Sequence, residues 1–293
     1  TDKVLPDENR MINGFTDYEE LTRTRRLIMR SYKLPGNRLR LLHTNENRGA
    51  VTINEERDYH FRYVLEDNFG NRRTYQFIVK GKRQDIPEYK PEANEMLYWN
   101  RTNVIQKPGM ELVVPRYYVY EDVSLRTDMR GDSSHIAFDY ILDAGRTPIH
   151  SYCDLSIGLR HMPVADTTKY YIVQKAGKWR SSMGGKYANG WIKTRVRSLG
   201  TFSVDVDTIA PQITPIGQGG WRTSRNIRFR IKDMESGIGS YKVYIDGKFV
   251  LFGLKKGILV IQDPEKVKKG VPHKLEVTVT DQCGNMTRKE YKF

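Results

Sequence analysis

The stretch Leu275-Glu276-Val277-Thr278-Val279-Thr280, followed by Asp281-Gln282-Cys283-Gly284-Asn285 and then by residues 287–293, decides the fold. Apolar and polar side chains alternate with period two, the period at which one face of a strand is buried and the other is wet. The Asp-x-x-Gly-Asn between the two runs is a tight-turn composition, so the segment reads as strand, turn, strand. The same grammar occurs earlier: residues 60–65, then Asp67-Asn68-Phe69-Gly70-Asn71, then residues 74–79. Gly70 and Asn71 are residue types that tolerate the positive φ of such a turn. Each copy is entered through a histidine, His60 or His273, and the two turns lie 214 positions apart, from 67 to 281. That is too far for a solenoid repeat. It predicts two homologous β-sandwich modules with a further module between them.

Working outward, residues 208–293 contain seven candidate strands, at 212–216, 227–231, 240–245, 249–252, 258–261, 275–280 and 287–293. Asp246-Gly247 marks a two-residue hairpin, and residues 233–237 supply another turn. Residues 86–207 form the middle module, with candidate strands at 103–105, 111–114, 117–120, 136–141, 153–158, 170–175, 191–196 and 200–206. Residues 1–85 yield only four, at 27–34, 38–42, 60–65 and 74–79, where an immunoglobulin-type sandwich needs about seven. Strands upstream of Thr1, or from another chain, are expected to complete it. A helical turn is expected at 17–23, capped by Thr16 or Asp17. Residues 80–91, ended by two prolines, read as a linker, and residues 207–211 as a short stiff junction. The fold class is therefore all-β: tandem immunoglobulin-like β-sandwich modules, the first incomplete at its N-terminal side.

The chain has 293 residues, 38% of them hydrophobic, enough for several cores. No apolar run approaches the ~18 residues of a membrane-spanning helix, and no basic-then-apolar leader stands at Thr1. Lys and Arg number 49 against 35 acids, a formal charge of +14, and divided by module the balance is +4, +2 and +8. Two cysteines, Cys153 and Cys283, make no disulfide framework; they read as buried thiols or as one inter-domain bridge.

Catalytic constellations are not legible. The six histidines show no zinc spacing, and His60 and His273 read as strand-start residues. There is no nucleophile elbow, phosphate loop or dinucleotide fingerprint. The Gly184-Gly185 pair is a turn. Glu121-Asp122 and Asp205/Asp207 read as turn and junction carboxylates, while Asp205, Asp207 and Asp233 have the oxygen chemistry to gather calcium. Arg228 and Arg230 share a strand face with Phe229 on the opposite one. Such a basic surface suits anionic envelope polymers or lipid headgroups, and equally a merely solvated face. Nucleic acid is disfavoured for want of stacking aromatics interleaved with the charge. Trp179, Tyr187 and Trp191 flank a Gly/Ser-rich segment and are the candidate ligand-binding residues, as a platform on which sugar rings stack. Trp191, opening a strand, also suits a core position.

Several stretches together resemble a known family. Asp7-Glu8-Asn9-Arg10-Met11-Ile12-Asn13, Asp17-Tyr18-Glu19, Leu34-Pro35-Gly36-Asn37-Arg38-Leu39 and Asp67-x-x-Gly70-Asn71 resemble the region after the catalytic domain of large lysostaphin-type (LytM-like) zinc endopeptidases of Gram-negative envelopes. Gly184-Gly185-x-Tyr187-x-x-Gly190-Trp191-Ile192, Leu199-Gly200-x-Phe202, Asp207-Thr208-x-x-Pro211 and Asp233-x-x-Ser236-Gly237-Ile238 extend the resemblance across the chain. It implies a non-catalytic region that positions or targets a peptidoglycan-cleaving enzyme, in the periplasm, at the outer membrane or secreted. The family's zinc-ligand motifs do not occur here, so no cofactor is expected in this chain and zinc only in a separate catalytic domain. Implied partners are that domain, or another polypeptide supplying strands to the first module, with peptidoglycan or an anionic envelope polysaccharide as ligand. An autonomous carbohydrate-binding or adhesin-like protein is the alternative from the same residues, and a structural subunit completing its first sandwich with another chain is a second.

Overall fold

A computed structural model describes residues 6–85, 93–143 and 147–293. The chain divides into two compact units, Thr1–Glu92 and Ala93–Phe293. It is an all-β protein built of antiparallel sheets, with three short α-helices among the described residues. No helix among the described residues is long and apolar enough to cross a membrane. Of the expected linker at 80–91, Lys80 ends the last strand of the first unit and residues 86–91 lie outside the described residues.

In the first unit α1 (Pro6–Met11) and α2 (Tyr18–Thr24) precede a single hairpin, β1 (Asp58–Glu66) with β2 (Arg72–Lys80). The Asp17 carboxylate accepts the Glu20 amide at 3.0 Å, the cap expected at this helix start. Met11, Phe15, Leu34 and Leu39 are buried, and Asn37 ties them together by donating to the Met11 carbonyl and accepting from the Leu39 amide. The strands expected at 27–34 and 38–42 do not form; only a lone bridge joins Thr16 to Met29. Leu27, Ile28 and Met29 are exposed, and the backbone of residues 28–30 bonds to residues 15–17 without extending into a ladder among the described residues. The hairpin turn is held by Asp67, whose carboxylate accepts from the amides of Phe69 and Asn71 and from the Asn71 side chain, with Gly70 at φ +81°.

In the second unit the first sandwich is formed by β3 (Glu95–Leu97), β4 (Asn103–Lys107), β5 (Met110–Val114), β6 (Val123–Arg130), β7 (Asp139–Asp143), β8 (Cys153–Gly158), β9 (Tyr170–Ala176), β10 (Trp179–Ser182), β11 (Lys186–Ala188), β12 (Trp191–Val196) and β13 (Gly200–Val206). A six-stranded sheet, β10-β9-β13-β7-β6-β3, faces a five-stranded one, β11-β12-β8-β5-β4. Leu125, Tyr140, Ile172 and Phe202 from one meet Leu112, Leu155, Ile157 and Ile192 from the other in one core. Each such side chain, taken fully out of water, contributes about 1.5–3 kcal/mol. The strand expected at 117–120 is a turn instead: Tyr117 sits at φ +68° and the Tyr118 amide returns to the Pro115 carbonyl.

The second sandwich comprises β14 (Gln212–Ile216), α3 (Trp221–Ser224), β15 (Arg228–Lys232), β16 (Ile238–Ile245), β17 (Lys248–Phe249), β18 (Phe252–Lys255), β19 (Ile258–Ile261), β20 (Lys274–Asp281) and β21 (Met286–Lys292). Its sheets are β14-β15-β19-β18 and β17-β16-β20-β21. Trp221, fully buried, plugs one end against Phe229, Tyr291 and Phe293. The strand expected at 249–252 divides, β17 pairing in one sheet and β18 in the other. Asp246 and Gly247 take φ of +50° and +75°, the conformation a two-residue hairpin with right-handed strands requires.

Candidate functional site

Two places in the second unit concentrate functional side chains. The first is the β9–β10 hairpin, where Ala176 pairs with Trp179 across a two-residue turn and Gly177 takes φ +59°. Trp179 is 80% exposed. Arg180, next along the edge strand, reaches Asp205 on β13 at 2.8 Å and fixes the strand that carries the indole.

Tyr187 and Trp191 sit in the opposite sheet, on β11 and β12. Tyr187 is paired with the buried Ile192, so it shares that residue's face, while Trp191 points to the other. The Trp191 ring is half-buried over the bare backbone at Gly158. No ring contact joins any two of the three among the described residues. The structure thus leaves Trp179 as the displayed aromatic, Tyr187 at the rim and Trp191 against the sandwich.

The second place is the junction between the two sandwiches. Oxygens of Asp207, Asp233 and Asp281 lie within 4.8 Å of one another. Asp207, fully buried, accepts from the Ser236 amide at 3.0 Å and its hydroxyl at 2.5 Å, and from the Ile209 amide at 2.9 Å. Asp233 accepts from the amides of Glu235 and Gly237. Asp281 accepts from the amides of Cys283 and Asn285 and from the Asn285 side chain, whose amide also donates to the Asp207 carbonyl. Burial pushes the Asp281 carboxyl up, and the nearby Asp207 charge adds to this. Lys169 donates to the Cys283 carbonyl at 3.0 Å, and Tyr171 to Glu235 at 3.4 Å.

Three carboxylates could offer a hard cation part of the six to eight oxygens calcium takes. Asp205, expected among them, is occupied by Arg180; Asp281 stands in its place. The Asp-x-x-Gly-Asn motif contained that residue, but 74 positions separate Asp281 from Asp207 and only the packing of two modules brings them together. Cys153 and Cys283 are buried free thiols, pushed up to about 12 and about 11 by burial, so neither is a ready nucleophile. His273, also buried, holds Asp246 at 2.6 Å and the Lys268 carbonyl at 2.7 Å, a structural arrangement at a strand start.

Residues 94–207, the first sandwich, match the Zu5-like domain family. Among solved structures, similarity is found to the glycoside hydrolase domain of Endo-D from Streptococcus pneumoniae R6, at 13% identity and TM-score 0.21, over 58% of this chain and 35% of that one. The chain thus spans about a third of that structure's length. A Ca2+-stabilized adhesin that helps an Antarctic bacterium reach out and bind ice is similar at 9% identity and TM-score 0.20, over 80% of each chain. At such scores neither carries a functional argument. No curated protein matches.

Proposed function

We propose that the chain is a non-catalytic β-sandwich binding region that positions or targets a peptidoglycan-cleaving zinc endopeptidase whose catalytic domain lies outside these 293 residues. It would work outside the cytoplasm, in the periplasm, at the outer membrane or secreted. The observation that carries the reading is the display of Trp179, 80% exposed on the tip of a hairpin whose edge strand is fixed by the Arg180–Asp205 ion pair. An indole held in water by a rigid strand offers a flat apolar face to a sugar ring. The Zu5-like match of the sandwich that bears it, and the joining of the two sandwiches through Asp207, Ser236 and Asn285, suit a spacer that presents a ligand contact.

The test is retention on purified peptidoglycan sacculi. Wild type should be retained and Trp179→Ala should lose most of it; equal retention removes Trp179 from the reading. Muropeptides supplied with zinc should remain uncleaved, and turnover abolished by a chelator would overturn the non-catalytic assignment.

A second reading, that the first unit is completed by strands of another polypeptide, is favoured by the β1–β2 hairpin. Among the described residues each strand pairs only with the other, leaving one backbone edge of each without a ladder. Tyr59, Phe61, Tyr63 and Leu65 share a face with Val79, Phe77, Tyr75 and Arg73, and this face is buried at Tyr59 but exposed at Tyr63, Leu65 and Tyr75. A two-stranded ribbon is marginal alone, and exposed edges invite strand addition. Native mass measurement should find a co-purifying polypeptide; a lone monomer with slowly exchanging β1 and β2 amides would count against it.

A further inference from the structure

We infer that the outer face of the β14-β15-β19-β18 sheet is a binding surface for a linear anionic polysaccharide, separate from the Trp179 hairpin. Along β15, Phe229 and Ile231 point into the core, so Arg228, Arg230 and Lys232 all project outward, and all three are exposed. Register carries the pattern across the sheet: Arg230 stands opposite Ile258, which stands opposite Lys255. The β18–β19 turn docks beside the end of β15, its Gly257 carbonyl accepting the Ile231 amide at 2.9 Å. No acidic residue occurs on β14, β15, β18 or β19. None of the four cations forms an ion pair or side-chain hydrogen bond among the described residues.

The opposite sheet of the same sandwich is the internal comparison. There Lys274 meets Glu290 at 3.0 Å and Arg288 meets Glu276, so acids of that sheet pair two of its outward cations, while Lys242 and Lys292 have no acidic partner among the described residues. Uncompensated like charges on one flat face raise the energy of the free protein and attract a counter-charge. Their spacing sets its shape. Alternate residues along a strand are about 6.6–6.8 Å apart, and Arg230 and Lys255, two strands apart, about 9.5 Å. Between them runs the half-buried aliphatic row Ile258 and Val260. This is a shallow trough, apolar in its floor and cationic on both flanks, matched to an extended polymer whose pendant carboxylates fall to either side. Outward positions of the four strands hold no aromatic ring on which bases would stack, which disfavours single-stranded nucleic acid. Its apolar residues form the floor instead of protruding, which disfavours insertion into a bilayer.

The probe is polygalacturonate, titrated into the full chain at low and at high salt. Wild type should bind with an affinity that falls steeply with salt. Arg228→Gln/Arg230→Gln should weaken binding at least tenfold. Lys242→Gln/Lys292→Gln, which removes the same charge from the opposite face, should change it less than twofold. Equal losses in the two double variants would reduce the effect to net charge and overturn the site. So would equal binding of neutral dextran, or binding of oligo(dT) or anionic vesicles as tight as that of polygalacturonate and equally sensitive to Arg228→Gln/Arg230→Gln. Retention of Trp179→Ala on polygalacturonate keeps this inference distinct from the peptidoglycan reading.

Discussion

The Asp207 carboxylate of the first sandwich accepts both the backbone amide and the hydroxyl of Ser236, a residue of the second that is itself fully buried. One side chain thus satisfies two donors that would otherwise be stranded where the modules meet. Charge-assisted hydrogen bonds of this kind contribute about 1.5–3 kcal/mol, and a buried donor left alone costs about 1–3 kcal/mol. Asp207→Ala should therefore lower stability by about 3–5 kcal/mol in chemical denaturation. It should also split the unfolding of residues 93–293 into two transitions; a loss below 1 kcal/mol with a single transition would show that the junction is held elsewhere.

The two copies of Asp-x-x-Gly-Asn make the same hydrogen bonds yet titrate in opposite directions. Donation from the Asn71 side chain and amide holds the exposed Asp67 below the usual carboxylate range, whereas burial, reinforced by Asp207, pushes Asp281 up. A carboxyl whose folded value is raised adds stability when protonated and loses that contribution as pH climbs from the ordinary value near 3.8 through the folded one. For a lowered carboxyl the contribution is present above 3.8 and is lost as pH falls through the folded value. Asp281→Asn should flatten the decline of stability on the alkaline side of 3.8, whereas Asp67→Asn should remove a loss on its acid side. Denaturation midpoints between pH 2 and 7 measure both, and slopes of the same sign for the two variants would refute the contrast.

His273 behaves as a pH-dependent strut. Burial opposes its charge, but hydrogen bonds to Asp246 and the Lys268 carbonyl outweigh this and raise it above its ordinary value near 6.5. Its contribution is fully present below 6.5 and is lost as pH rises through the folded value. Thermal stability of the second sandwich should fall over that interval, and His273→Gln should abolish the dependence. An unchanged pH profile in the variant would assign the effect to another group.

Gly185 is confined by both conformation and space. Its φ is +148°, and an added Cβ would stand 2.5 Å from the Ile192 γ2 methyl, a buried branched side chain with nowhere to move. Gly185→Ala should cost about 2–4 kcal/mol, by strain and overpacking together. A change below 0.5 kcal/mol by denaturant titration would mean that the turn relaxes freely.

What sequence pattern could reveal follows from how local each cause is. β20 was legible because Leu275, Val277 and Val279 alternate with polar residues and all enter one core. β6 lacks a legible pattern because its outward positions from Arg126 onward are charged and only Leu125 and Thr127 are buried. The division of residues 249–252 depends on Val250 turning inward and returning its amide to the Val243 carbonyl, a tertiary cause with no local signature. For the site, Trp179 was visible as an aromatic beside a turn, but alternation alone did not reveal that Tyr187 and Trp191 belong to the other sheet. The carboxylate cluster is half legible: the sequence marks Asp207 and Asp233, whereas Asp281 carries only a turn signature. The basic face needed the register, since Lys255 joins Arg228 and Arg230 only across β19.

Tyr291 closes the second sandwich at an unfavourable polar atom. Its ring packs between Trp221 and Phe229, with centroids 5.9 and 5.4 Å away, and its hydroxyl is buried with no hydrogen-bond partner among the described residues. Burial alone raises its ionisation above the ordinary value of 10, as expected of a phenol that cannot be solvated. An unsatisfied buried hydroxyl costs about 1–3 kcal/mol, whereas a phenylalanine keeps the ring contacts and has no such atom. Tyr291→Phe should therefore leave the fold intact and raise stability by about 1 kcal/mol, or by a few degrees in melting temperature. A destabilisation of similar size would reveal a water or a partner at the hydroxyl, and Tyr291→Leu, which removes the ring as well, should be less stable than either.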